Sequence, residues 1–210
     1  MATNDTMILV DLQRDFLPGG SLAVPDGDAV VPVANRLAPH FRRVIATQDW
    51  HPANHSSFAA NNPGTKPGEI IKLGGLDQIM WPVHCVQGSR GAEFAPALAR
   101  ASITRVVRKG TDAAIDSYSG FFDNGHLKAT GLETLLSSLG VHRVHIMGLA
   151  TDYCVKFTAL DARGIGLDVV LVLDGCRAVN LSPGDGERAI SEMRAAGVAV
   201  ATSDSLLASG

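Results

Sequence analysis

Six short apolar runs punctuate the chain: MILV at 7–10, VIAT at 44–47, RVV at 105–107, VHIMG at 144–148, VVLVL at 169–173 and VAVAT at 198–202. They are rich in Val and Ile, and most do not alternate with polar residues. A strand with one face in water alternates, whereas one covered on both faces does not, so these runs predict central strands of a parallel sheet. Helical patterns lie between many of them, at 29–37, 132–139, 152–163 and 186–196, and Gly140, Gly164 and Gly197 stand where helix C-caps would fall. Strand alternating with helix implies an α/β fold: a three-layer, open, mainly parallel six-stranded sheet whose right-handed crossovers put helices on both faces. One segment, roughly 52–93, breaks the rhythm. It carries many Gly and Pro and shows no clear strand, and a connection this long is expected to be a functional, lid-like insertion. With no internal repeat or interdomain linker, 1–210 reads as a single domain.

Composition narrows the setting. Hydrophobic residues make up 46% and charged residues 19%, which excludes a disordered chain. The formal net charge is −3 and there is no Lys/Arg-rich run, so neither nucleic acid nor an anionic membrane is an expected partner. The polar start MATNDT has no basic region leading into an apolar one, and no apolar run reaches membrane-spanning length. Three cysteines without a CxxC pair make no disulfide framework; a cytoplasmic protein is expected.

In open α/β sheets ligands bind beyond the carboxyl ends of the strands. Asp11 follows MILV, Asp49 and His51 follow VIAT, Lys109 follows RVV, and Cys154 follows VHIMG by a short turn. A helix beginning near Thr151 or Asp152 would put Cys154 in its first turn, where the partial positive charge favours a thiolate; a nearby Lys109 ammonium would favour it further. Asp11 can take the thiol proton and pass it to a leaving amine, and the helix start offers backbone N–H donors for an oxyanion. Singly, each has an ordinary reading: an inert buried Cys, a surface Lys, a turn-capping Asp. Their common placement sets them apart. Cys85 and Cys176 lack such surroundings and read as structural.

Five stretches, VDLQRDFLPGGSL, TQDWHPANHSSF, WPVHCVQGSRGAEF, RKGTD with DSYSGF, and MGLATDYCV, together resemble the nicotinamidases, which also act on pyrazinamide, within the isochorismatase-like cysteine hydrolases. The resemblance spans about 8–206; the Asp, Lys and Cys motifs mark the superfamily, and DWH with WPVHC marks the nicotinamidase branch. It implies Cys154 as nucleophile, Asp11 as general base and acid, and Lys109 as third member of the triad. It implies Phe16, Trp81 and Tyr118 as walls of an aromatic substrate's pocket. The expected reaction is hydrolysis of nicotinamide to nicotinate and ammonia through a thioester, with the N–H groups of Ala150 and Cys154 holding the oxyanion. The tight turn GLATDYC and the resemblance both lead us to expect a cis peptide bond between Leu149 and Ala150.

The same resemblance bears on metal. Asp49 and His51, at i and i+2 on an extended segment, point to one side. With His84 from the insertion they would bind one divalent ion, Zn²⁺ first, Fe²⁺ or Mn²⁺ also compatible, with His55 a candidate fourth ligand. Chelation would staple the insertion over the crevice, and the ion would orient the pyridine ring rather than perform the chemistry. His40, His126, His142 and His145 belong to no such cluster. The rivals are another amide or carbamoyl hydrolase or an isochorismatase, against which the metal motifs argue; a dinucleotide-binding oxidoreductase, whose G-x-G-x-x-G is missing after the first strand; and a non-catalytic module of this fold.

Overall fold

The structure, a computed structural model, describes residues 5–208; most of the N-terminal stretch read above for an export signal lies outside them. In chain order the elements are β1 (Thr6–Val10), α1 (Val30–Leu37), β2 (Arg43–Asp49), β3 (Ile70–Leu73), β4 (Leu76–Ile79), β5 (Arg105–Lys109), α2 (Leu132–Ser138), β6 (Arg143–Leu149), α3 (Lys156–Gly164), β7 (Asp168–Arg177), α4 (Asp185–Ala195), β8 (Ala199–Ala201) and α5 (Ser203–Ala208). Six strands pair in the order β5-β2-β1-β6-β7-β8, every neighbouring pair parallel. No helix among the described residues is long and apolar enough to cross a membrane.

The path from β1 to β2 steps one way across the sheet, and the paths from β5 to β6, β7 and β8 step the other way. Right-handed crossovers therefore put α1 on one face and α2, α3 and α4 on the other. The packing agrees: α3 lies against α4, and α5 joins α1. The unbroken apolar run of β1 follows from this, since Met7, Ile8, Leu9 and Val10 are all buried between the two helical layers. Because the chain leaves β1 on one side while β6 lies on the other, a crevice opens beyond their carboxyl ends.

Three expectations need correction. The insertion is not strand-free: β3 and β4 form an antiparallel hairpin. Its turn is Gly74–Gly75, both at positive φ, the pair a two-residue hairpin turn demands; in EIIKLGGLDQI that signal was outweighed by the Gly and Pro around it. Gly164 ends α3 inside the helix, and Gly166 is the residue that takes the left-handed conformation. Finally, the helix does begin at Thr151 with Cys154 in its first turn, as expected, but that turn, Thr151–Val155, is π-helical and leads into α3.

Gly148 lets β6 approach β1. Its φ is +135°, and a Cβ there would lie 2.1 Å from the Val10 carbonyl oxygen. Neither the conformation nor the contact tolerates a methyl group. Gly148→Ala is expected to cost at least about 3 kcal/mol in urea unfolding; a loss under about 1 kcal/mol would show that the two strands yield freely.

Candidate active site

Four strand ends converge on one buried cation. Lys109 is the last residue of β5, and its side chain is fully buried. Its Nζ lies 3.0 Å from Asp11 Oδ2, 2.7 Å from Asp49 Oδ1, 2.8 Å from the Ser117 carbonyl oxygen and 3.4 Å from Cys154 Sγ. Asp11 follows β1 in a left-handed conformation, φ +49°. Thr47 of β2 holds it there: the Thr47 hydroxyl donates to Asp11 Oδ1 at 2.6 Å and accepts the Asp11 N–H at 3.2 Å. Asp49 closes β2, where Gln13 takes both its backbone groups, Nε2 donating to Asp49 O and Oε1 accepting Asp49 N–H, each at 2.8 Å. Cys154 is set by the π-turn, in which the Tyr153 and Val155 N–H groups both donate to Ala150 O. The turn is anchored by Asp152, whose carboxylate accepts the Val179 and Asn180 N–H groups. The Leu149–Ala150 bond is cis, as expected.

The charges are set by burial and by each other. Burial raises the Asp11 carboxyl above its usual range, the Lys109 ammonium pulls it back, and Asp49 adds to the rise. For Asp49 burial also acts upward, but Lys109 and His51 outweigh it and hold the carboxyl well below its usual range. Burial disfavours the Lys109 charge, yet two carboxylates beside it raise its pKa well above that of a free lysine. Cys154 departs from expectation. Burial lifts its pKa well above that of a free thiol, Lys109 lowers it, and Asp11 and Asp49 raise it again. The resting group is a thiol, because one ammonium does not offset the loss of water together with two carboxylates.

Asp49 turns its other oxygen to the imidazoles. Asp49 Oδ2 is 3.3 Å from His51 Nε2 and 3.7 Å from His84 Nε2. Both rings are oriented through the opposite nitrogen, His51 Nδ1 facing Gly110 O at 2.9 Å and His84 Nδ1 facing Pro82 O at 2.8 Å. An Nδ1–H donated to a carbonyl leaves Nε2 with its lone pair free, the tautomer a metal ligand needs. His51 Nε2 is a buried atom with no hydrogen-bond partner. Two ligand atoms each about 2.0–2.2 Å from one ion lie roughly 3–3.5 Å apart, close to the separations seen, so these residues fit a divalent cation. His55 stands beside His51, ring centroids 4.2 Å apart, but groups with His51 and Asp116 rather than with Asp49 and His84. Burial, then the neighbouring His51, bring its pKa down to about 4, so it is neutral. His84 reaches this place because the insertion is laced back onto the sheet: the His51 N–H donates to Cys85 O, and the Cys85 N–H to Asp15 Oδ2.

A cavity above Cys154 is lined by Phe16, Trp81, Tyr118 and Ala150, with Asp49 and His84 at its polar side. Thus every residue singled out from the sequence lies at one crevice, His55 at its margin. Sequence reasoning missed Tyr153, whose ring packs edge-on against Trp81 with centroids 4.9 Å apart, and Asp116; both line the same cavity. It also missed the roles of Gln13, Thr47 and the Ser117 carbonyl, which lie inside the quoted motifs but carry no signal of their own.

A family model for the isochorismatase domain matches residues 5–205. The chain is 50% identical over 200 residues to the nicotinamidase of Escherichia coli (strain K12), covering 93% of each protein. It superposes on a solved nicotinamidase/pyrazinamidase of Acinetobacter baumanii with a TM-score of 0.95 at 44% identity, covering 98% of this chain and 99% of the other. A Pyrococcus horikoshii pyrazinamidase solved in complex with zinc aligns at TM-score 0.77 and 38% identity, covering 95% and 99%. With its fold and nearly its whole length matched, the chain belongs to the isochorismatase family.

Proposed function

We propose that the protein hydrolyses nicotinamide to nicotinate and ammonia, and pyrazinamide to its acid. The observation that carries this reading is the Cys154 sulfur, 3.4 Å from Lys109 Nζ beside Asp11, opening into an aromatic-walled cavity with Asp49 and His84 on its rim. Phe16, Trp81 and Tyr118 sandwich a flat heteroaromatic ring and exclude water from its carboxamide.

The charge arrangement favours the first step. Moving the proton from Cys154 to Asp11 shifts a negative charge from Asp11 Oδ2, 3.0 Å from the ammonium, to Sγ, 3.4 Å from it. The cluster's total charge is unchanged, so the transfer costs little although each group alone is far from its ordinary pKa. The raised Asp11 carboxyl is also a stronger base than a free one. Sγ then attacks the carboxamide carbon, and the N–H groups of Ala150 and Cys154 hold the oxyanion. Asp11 returns its proton to the departing nitrogen, the C–N bond breaks, and ammonia leaves a thioester. Water deprotonated by Asp11 attacks the thioester, the C–S bond breaks, and the acid leaves with the thiol restored.

Asp49, His51 and His84 hold the divalent cation in this proposal, Zn²⁺ by preference, with Fe²⁺ or Mn²⁺ served by the same two-nitrogen, one-oxygen set. When bound it supplies a coordination position that fixes the pyridine nitrogen and with it the distance from Sγ to the amide carbon. His55 supports the His51 ring and is the candidate additional ligand.

Ammonia release from nicotinamide by purified protein, with metal measured on the same sample, tests the proposal; no release with full metal would reject it. Cys154→Ala is expected to lower turnover by at least about 10⁴-fold with an unchanged circular dichroism spectrum, and appreciable residual hydrolysis would remove the covalent step. Iodoacetamide is expected to label Cys154 ahead of Cys85 and Cys176, which line no part of this cavity; peptide mass mapping checks it. Replacing both His51 and His84 by Ala is expected to reduce bound metal from about one ion per chain to near none and to raise KM. Full metal content in that variant would place the ion elsewhere.

A further inference from the structure

Gln78 stands on β4, and it is the one residue of the hairpin that is buried. The place where a hairpin docks on its domain ordinarily takes an apolar side chain, because burying an amide is favourable only if its hydrogen bonds are replaced. Here they are. The Gln78 amide lies 2.7 Å from Ile79 O, 3.0 Å from Asp116 Oδ2 and 3.3 Å from Tyr118 Oη. With two N–H groups for three acceptors, one is shared. Tyr118 Oη also accepts the Trp81 indole N–H at 3.1 Å. Two donors from the insertion, one on β4 and one just after it, thus converge on a single phenolic oxygen of the cavity wall.

The contact with Asp116 extends the hold. Asp116 Oδ1 accepts the Ser117 N–H at 2.8 Å, and its backbone oxygen accepts the Asn124 N–H at 2.8 Å. Asn124 in turn accepts the Tyr118 N–H at 3.0 Å. The segment 116–118 is therefore pinned from the insertion at its carboxylate and at its phenol.

We infer that Gln78 is a positioning residue for the proposed reaction, setting the distance between Tyr118 and Trp81 and hence the width of the slot that receives the flat ring. The inference rests on the proposed function. Gln78 touches no reacting atom. Of the four groups around the Lys109 ammonium, only the Ser117 carbonyl lies in the segment that Gln78 pins; Asp11, Asp49 and Cys154 come from three other elements and hold the ammonium when Gln78 is lost, so the chemical cluster persists while the wall loosens. The effect belongs in KM rather than kcat.

The test is steady-state hydrolysis of nicotinamide by Gln78→Met, which nearly conserves volume and removes both donors. KM is expected to rise about 10-fold with kcat within about 3-fold, and the rate of Cys154 alkylation to stay as in the native protein. In a Tyr118→Phe background, where the shared acceptor is gone, the same substitution is expected to raise KM by less than about 3-fold. Gln78→Asn, whose amide falls one methylene short, should give an intermediate KM and serves if the Met variant does not fold. A native KM in Gln78→Met or Gln78→Asn, or an equal KM penalty with and without the Tyr118 hydroxyl, would overturn the inference. If the native protein itself releases no ammonia, the proposed function fails first; if it is active and the Gln78 variants match it, only the role of Gln78 falls.

Discussion

A single buried ammonium decides the arrangement of the crevice. Asp11 and Asp49 come from different strands, and both lose their water on folding. Two carboxylates so placed repel each other and each costs several kcal/mol to desolvate. Lys109 lies within 3.0 Å of both, and at that range each attraction is worth about 6 kcal/mol at an effective dielectric near 20. The ensemble is close to balance as a whole and costly to break in part. This explains why the Lys109 side chain can be fully buried, with the Ser117 carbonyl and the Cys154 sulfur as its remaining contacts.

From that cation two chemistries diverge. On one side, in the proposed reaction, Asp11 and Cys154 exchange a proton under a constant total charge. On the other, Asp49 shares its carboxylate between the ammonium and the two imidazoles, so the proposed metal site and the proposed nucleophile are mechanically one unit. The insertion completes both: it carries His84 to the imidazole pair, Trp81 to the cavity wall and Gln78 to the back of Tyr118. A segment with little regular structure achieves this because its backbone is bound outside itself at His51, which follows β2, at Ala113 beyond β5 through the Ser56 N–H, and at Asp15 through the Cys85 N–H.

The sheet was legible because burial on both faces writes itself into composition: MILV and VHIMG hold no polar positions apart from His145. The crevice was legible because strand ends are where such folds bind ligands, so Asp11, Asp49, Lys109 and Cys154 were identifiable from position and residue type. What escaped were properties of distant pairs. Thr47 bonds a residue 36 positions away, and Gln78 one 38 away; nothing local distinguishes such a threonine or glutamine from a solvated one. The state of the thiol escaped for the same reason. A helix start and a lysine are visible along the chain, whereas the burial that outweighs them, and the two carboxylates that add to it, act on Cys154 only after folding. The hairpin is different, since its Gly-Gly turn was present to be read.

The dependence of the crevice on its central cation is tested most directly by the unfolding free energy of Lys109→Met in urea at neutral pH. The substitution keeps much of the side chain's bulk and removes only the charge and its donors. With Asp11 and Asp49 left buried and uncompensated, the expected result is a loss of about 3–5 kcal/mol relative to the native protein. A loss under about 1 kcal/mol would contradict it, and would mean that the two carboxylates are held apart and solvated without the ammonium.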